Sequence, residues 1–345
     1  MNPSGLKRQV KEAGKRLLRR LFESGQRFGV DVLPRHFYSS VPDIAELKRS
    51  DHWLEASSMS GVAGADPEEQ LRFAREVCGP HVDRLRAHDV YAAACDEAAE
   101  VGYSRVDAEF LYCFVRSRRP GRIVQVGCGA STALLLAACR DAGYRPELVC
   151  VEPYPSPYLR RMDKAGDIRL VARKAQEVEL SLLHGLDAGG FLFVDSTHTV
   201  KPGSEVVRIV LEAMPRLPPG VYVHFHDVYF PYGYQRGLLL DELFFSSETL
   251  LLQALLTQNP HYTIRTSLSM LHYAQPRELQ GLLPHYRPAP NRHGLSTSRR
   301  GGGDFPSATY LQTVAVTNVS TANGAAAGPV PSPGVAGEGG RGAAG

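Results

Sequence analysis

With 345 residues, 43% apolar side chains and a formal net charge of +3, the chain has apolar material for one large domain with additions, or for two. No apolar run approaches the length of a membrane span, and a nearly neutral chain carries no bulk basic field for nucleic acid. Cys78, Cys95, Cys113, Cys128, Cys139 and Cys150 show neither a C-x-x-C pair nor zinc spacing. Reduced thiols in a cytoplasmic protein fit this usage better than a disulfide framework, and the first residues lack the apolar core of a signal peptide.

Residues 6–22 place Leu6, Val10, Ala13, Leu17 and Leu21 on one helical face among lysines and arginines. Such a basic amphipathic helix is expected to dock on its own domain; an anionic membrane surface or a protein partner are the alternatives. Glu12 and Glu23 sit badly in a mitochondrial presequence. Residues 34–43 form an extended loop between Pro34 and Pro42 that carries His36, Phe37 and Tyr38, either at a site or as cover for the core. Asp66, Pro67, Glu68 and Glu69 read as a helix start, with the helix running to about Cys78 before Gly79 and Pro80. Residues 1–100 thus form a helical and loop extension. Asp107 is expected to cap the next helix, through Phe110, Leu111, Phe114 and Val115.

The β-branched run 123–126 then enters Gly127 and Gly129, followed by an apolar helical stretch at 133–139. This is a buried strand, a tight turn and a helix start. The glycines let the backbone approach a ligand closely, and Ser131 and Thr132 are capping residues. A dinucleotide fingerprint needs a third glycine where Thr132 stands, which argues against a nicotinamide oxidoreductase; a phosphate-loop pattern is absent. Further strands are expected at 147–152, 168–171, 191–194, 221–225, 261–265 and 307–316, with a long helix at 239–257. Glu152 ends the second strand, where a carboxylate can accept both ribose hydroxyls of an adenosine. Ala175 and Gln176 follow the third strand, where an adenine could be met. Asp195 and His198 follow the fourth, His226 and Asp227 the fifth. Residues 284–303 read as a mobile insertion, and 317–345, rich in Gly, Ala, Pro and Ser, as a disordered tail.

The ordered set Val126–Thr132, Val151–Pro155, Phe193–His198 and His224–Asp227, preceded by His36–Ser39 and Phe110–Tyr112, resembles a bacterial subgroup of class I S-adenosylmethionine-dependent methyltransferases across roughly residues 37–316. The resemblance implies an α/β, Rossmann-like, seven-stranded doubly wound sheet over residues 101–316, with an antiparallel last strand. It implies S-adenosylmethionine as cofactor, with Gly127, Cys128, Gly129, Ser131 and Thr132 on the methionine side, Glu152 at the ribose, Gln176 in the adenine region and Asp195 as a further cofactor-binding residue. The family usually has Glu or Asp two residues before the first glycine, where it helps hold the cofactor's amino group. This chain has Gln125, which keeps a hydrogen-bonding amide there but gives up the charge.

Methyl transfer depends chiefly on aligning acceptor and methyl, and an oxygen nucleophile also needs its proton managed. Asp195, His198 and His226 are the candidate catalytic residues. His198 is the expected general base, because imidazole titrates near neutrality and because catechol-type O-methyltransferases, which this region resembles, place their base at that position. Asp195, His226 and Asp227 are a candidate site for a divalent metal such as Mg, or simply hydrogen-bond loops and cofactor. Tyr154, Tyr232 and Tyr234 stand near the same edge. The expected activity is O-methylation of a small-molecule or glycan hydroxyl in the cytoplasm, without a nucleic-acid partner. The alternative is a degenerate methyltransferase fold that binds without turnover.

Overall fold

Seven strands form one sheet: β1 (Arg122–Val126), β2 (Glu147–Val151), β3 (Arg169–Val171), β4 (Phe191–Val194), β5 (Tyr222–Phe225), β6 (Tyr262–Ser267) and β7 (Thr309–Thr313), in the order β3-β2-β1-β4-β5-β7-β6. The computed structural model describes residues 3–288 and 305–316, without the side chains of 3–11. The tail expected at 317–345 and residues 289–303 of the expected insertion lie outside the described residues. β1 to β5 are parallel, and β7 runs antiparallel to both β5 and β6. This is the Rossmann-like doubly wound sheet with an antiparallel last strand that the sequence predicts.

Why the sheet takes helices on both faces follows from β1 and β4, whose residues are buried on either side. Ile123, Phe191 and Phe193 belong to one apolar cluster, and Val124, Val126, Leu192 and Val194 to the other. Burying one such side chain is worth about 1.5–3 kcal/mol. The strand order reverses at β1, with β2 on one side and β4 on the other. The carboxyl ends of β1 and β4 therefore open a crevice, the default ligand site of such sheets.

The helix Pro67–Cys78 starts as expected, with Asp66 Oδ1 accepting from the backbone N–H of Glu68 at 2.7 Å and of Glu69 at 3.2 Å. Together with the helices Val90–Ala98, Arg105–Arg118 and Ala130–Asp141 it builds the first apolar cluster. Two local expectations change. Ser104, not Asp107, caps Arg105–Arg118, its Oγ accepting from Asp107 N–H at 3.1 Å, because the carboxylate is turned into the protein interior. The helix expected at 239–257 is broken into Arg236–Leu240 and Glu248–Leu256. Leu243 takes a left-handed φ of 54° that no helix continues through, and the restart at Ser247 brings Glu248 against His198 in the loop after β4.

The N-terminal helix Pro3–Arg27 does not dock as expected: Leu17 and Leu21 are 60% and 47% exposed. Lys15, Arg16, Arg19 and Arg20 flank this narrow stripe, and Lys15 and Arg19 pair with Glu12 and Glu23 of the same helix. Phe37 and Tyr38 in the aromatic loop are likewise exposed. Among the described residues, no helix is long and apolar enough to cross a membrane. None of the six cysteines is paired.

Candidate functional site

Register brings the predicted residues together. Val126 pairs with Val151 on one side and Val194 on the other, and Val194 pairs with Phe225. One residue further, Gly127, Glu152, Asp195 and His226 therefore share one sheet edge. Gly127 has φ 81°, and a Cβ there would fall 1.6 Å from the Asp195 carbonyl oxygen, so only glycine fits.

Two adjoining cavities open at this edge. One, of about 400 Å³, is lined by Glu152, Tyr154, Lys174, Gln176 and Thr197 among others. The other, of about 200 Å³, is lined by Glu100, Tyr103, Cys128, Gly129 and Ser131 among others. Gly127, Glu152 and Asp195 border both. The Glu152 carboxylate is held in place by the backbone N–H of Cys128 at 3.3 Å and of Tyr154 at 2.9 Å.

Gln125 and Thr132 do not reach either cavity, contrary to expectation. Gln125 is fully buried, and its Nε2 donates to Gly127 O at 3.1 Å and Ser131 Oγ at 3.0 Å. Its Oε1 accepts from Thr132 Oγ1 at 2.9 Å, and that hydroxyl in turn accepts from Gly129 N–H at 3.2 Å. A buried amide must satisfy itself, and this one does so by bracing the glycine turn from behind.

Behind Asp195 lies a cluster of charged groups in which His198, His226, Asp107 and Glu248 are buried and Asp227 is half-buried. His198 Nδ1 meets Glu248 Oε2 at 2.8 Å, while its Nε2 lies 3.4 Å from Asp195 Oδ1 and 3.6 Å from Asp227 Oδ2. His226 Nε2 meets Asp107 Oδ2 at 3.2 Å, and its Nδ1 faces Asp195 Oδ1 at 3.6 Å and Asp227 Oδ1 at 3.5 Å. Asp107 also accepts from the backbone N–H of Ser307 and Ala308, tying the start of β7 to the cluster. Tyr103 stacks on His226 with ring centroids 4.3 Å apart.

The electrostatics follow from this packing. Burial alone would lower the His198 pKa, but its bonds to Asp195 and Glu248 outweigh burial and push it up to about 10. His226 is likewise raised well above its ordinary value: burial opposes the charge, and Asp227, Asp195 and Asp107 overcome it. Burial would raise Asp195 as well, yet the neighbouring His226 and His198 hold it far below the usual carboxylate range. The same balance sets Asp227 at about 2. His224, buried beside His226, is pushed down and stays neutral.

Two expectations are corrected here. The carboxylates that enclose His198 push its pKa up to about 10 and favour the imidazolium, and it borders neither cavity, so its position does not bring it to an acceptor as a direct base. Asp195, His226 and Asp227 do come together. However, among the described residues no group of three or more His, Cys, Asp or Glu side chains is arranged to hold a metal ion. The three are committed to each other, to His198 and to Asp107. His198 and Asp227 both take left-handed backbone (φ 56° and 54°), a strain of about 1–3 kcal/mol each that the cluster must sustain.

Several residues of the site escaped the sequence reading. Lys174 immediately precedes Ala175 and Gln176 and was within reach of it. Glu100, Tyr103 and Glu248 carry no local signal, since each is placed by packing between distant segments. Of the tyrosines expected at the edge, Tyr154 borders the larger cavity, whereas Tyr232 packs against Tyr273 with centroids 4.9 Å apart.

A family model described as a methyltransferase domain matches residues 124–228. An uncharacterized protein of Archaeoglobus fulgidus is 30% identical over 162 residues, 45% of this chain and 73% of that protein. Among solved structures, the O-methyltransferase TomG of Streptomyces achromogenes, in complex with SAM, is similar at 16% identity, with 66% of this chain and 91% of that chain covered and a TM-score of 0.40. The SAH-bound methyltransferase PaMTH1 of Podospora anserina is similar at 17% identity, with 68% and 92% covered and a TM-score of 0.33. The 1,6-didemethyltoxoflavin-N1-methyltransferase of Burkholderia thailandensis is similar at 15% identity, with 72% and 91% covered and a TM-score of 0.35. The family model lies over β1 to β5, and the archaeal relative is matched across 73% of its length. The chain belongs to the class I S-adenosylmethionine-dependent methyltransferase family.

Proposed function

We propose that this protein methylates a hydroxyl of a small-molecule or glycan acceptor, using S-adenosylmethionine bound along the β1–β4 edge. The observation that carries this reading is the position of Asp195, ionised and bordering both cavities at their junction. The larger cavity suits an adenosine, with Glu152 accepting from ribose hydroxyls and Gln176 beside the base. The smaller suits the amino-acid end, because among the described residues its lining holds three carboxylates and no cationic side chain.

Bound there, the cofactor supplies an electrophilic sulfonium methyl. Asp195 accepts the hydrogen bond of the acceptor hydroxyl and holds its oxygen in line for attack. As the oxygen is alkylated its proton becomes far more acidic than any carboxylic acid, so even a carboxylate held well down can take it. His198 and His226 are positioning residues in this scheme, fixing the Asp195 side chain from behind. Six unpaired cysteines fit a cytoplasmic setting for the reaction.

The test is S-adenosylhomocysteine release from the full chain against panels of phenols, sugar alcohols and oligosaccharides. Asp195→Asn is expected to lower kcat by about 10²–10⁴-fold while leaving the KM for S-adenosylmethionine within a few-fold. Methyl transfer confined to nitrogen acceptors would overturn the oxygen assignment. A second reading, a fold that binds without turnover, draws on the imidazolium state of His198; it predicts S-adenosylhomocysteine binding and no transfer to any acceptor.

A further inference from the structure

The smaller cavity has a charge that the turn alone does not explain. Position 125, where the family places an acid for the cofactor's amino group, holds a Gln whose amide oxygen and nitrogen are both engaged inside the turn. Yet a carboxylate does face the space in front of that turn. A methyl group built on Gly129 would come within 1.9 Å of Glu100 Oε1, so this carboxylate lies directly over the second glycine. Among the described residues no side-chain hydrogen bond or ion pair holds it, and it borders the cavity together with Ser131 and Asp195.

Glu100 is nonetheless well aimed. The helix Val90–Ala98 ends with Ala99 in a left-handed conformation, φ 56°. The backbone N–H of Ala99 donates to Asp96 O at 3.3 Å and that of Glu100 to Cys95 O at 3.2 Å. This reversing cap turns the chain sharply at position 100. Ala94 and Ala98 of the same helix are buried in one cluster with Ala130, Ala133 and Leu134 of the helix that follows the glycine turn. The two elements that frame the cavity are therefore packed as a unit.

We propose that Glu100 is the anion that binds the α-ammonium group of the cofactor's methionine moiety, supplying from outside the turn the charge that position 125 lacks. The inference rests on the S-adenosylmethionine reading above. Gln125 then has a structural task, and its lost charge is no sign of a lost site. Gly129 leaves open the space that carboxylate and ammonium share.

Calorimetric titration with S-adenosylhomocysteine and with its desamino analogue, which lacks only the ammonium group, tests this on the wild type and on Glu100→Gln. The variant is expected to bind S-adenosylhomocysteine about 10–100-fold more weakly and the desamino analogue within twofold of wild type. Because position 100 is half-exposed on a loop, the variant should fold, which its thermal melt will show. Equal weakening for both ligands would reduce Glu100 to a structural part of the loop, and no weakening for either would remove it from the site. Wild type that binds neither ligand would overturn the cofactor reading itself, a result seen before any variant is made.

Discussion

The two sides of the β1–β4 junction are built on different principles. On the β2 side, Gly127 and Glu152 come directly after strand ends and strand register brings them to one edge, while Gln176 follows on the short turn Ala175–Glu177 after β3. On the β5 side, His198 and His226 are held by partners far away in the chain: Glu248 lies 50 residues from His198 and Asp107 lies 119 residues from His226. The first side is open and shaped for a ligand. The second is closed and shaped by its own charges. A cleft made by strand ends is a local product of the sheet, whereas a buried charge cluster exists only once the distant segments have packed. Changes on the two sides should accordingly fail in different ways, one in binding and the other in stability.

The largest effect is expected at Asp107. Replacing it by Ala leaves the His226 imidazolium short of a partner and frees the backbone N–H groups of Ser307 and Ala308. Breaking a buried pair from one side costs about 3–5 kcal/mol. Urea denaturation should show this loss, while S-adenosylhomocysteine affinity of the remaining folded protein stays near wild type. If affinity fell by more than the stability change explains, the two sides would not be separable.

Gly127 is the point where they touch. In Gly127→Ala the new Cβ meets the Asp195 carbonyl at 1.6 Å with φ held at 81°, so either β1 or β4 must shift at its end. Strain and overpacking of this kind cost about 1–3 kcal/mol, and the same shift disturbs both cavities. This variant alone should lose stability and cofactor affinity together. Loss of only one would mean that the backbone relaxes toward one side, and melts paired with titrations would show which.

How much of each side was legible follows the same division. The strands, the glycine turn and Glu152 could be read because short β-branched apolar runs and residue type are local. The gathering of Asp195, His198, His226 and Asp227 could be read because the residue after each parallel strand must arrive at one edge. The state of these groups could not. Whether His198 is a base or an imidazolium depends on Glu248, which the sequence placed inside a continuous helix, and the break at Leu243 that delivers it has no glycine or proline to announce it. Gln125 misled for a related reason. Its residue type signalled a weakened ligand contact, while its burial assigns it to the turn's own hydrogen bonds.

On the open side, Glu152→Gln should leave the melt within a degree or two of wild type, because position 152 is half-buried and the amide oxygen still accepts a backbone N–H. With Glu152 at the ribose as proposed above, losing its charge is expected to weaken S-adenosylhomocysteine about tenfold, or ~1.4 kcal/mol. A stability loss as large as that of Asp107→Ala would contradict the assignment of Glu152 to the ligand side.

The last expectation is a slope with pH, and its sign distinguishes an imidazolium cluster from neutral histidines. His198 stands at about 10 in the fold against 6.5 for the free group. A raised folded pKa gives stability that is complete below 6.5 and is lost as pH climbs through about 10. Asp227, at about 2 against 3.8, gives stability that is complete above 3.8 and is lost as pH falls through about 2. The cluster's contribution is thus greatest between these windows, in mildly acidic solution, and declines through neutral and alkaline pH. Melting temperatures taken from pH 5.5 to 9.5 should fall more steeply for wild type than for His198→Asn, since Asn also tolerates the left-handed backbone at this position but does not titrate. Groups elsewhere contribute equally to both proteins and cancel in the difference. Parallel profiles would mean that His198 is neutral in the fold, and the imidazole would return as a candidate base.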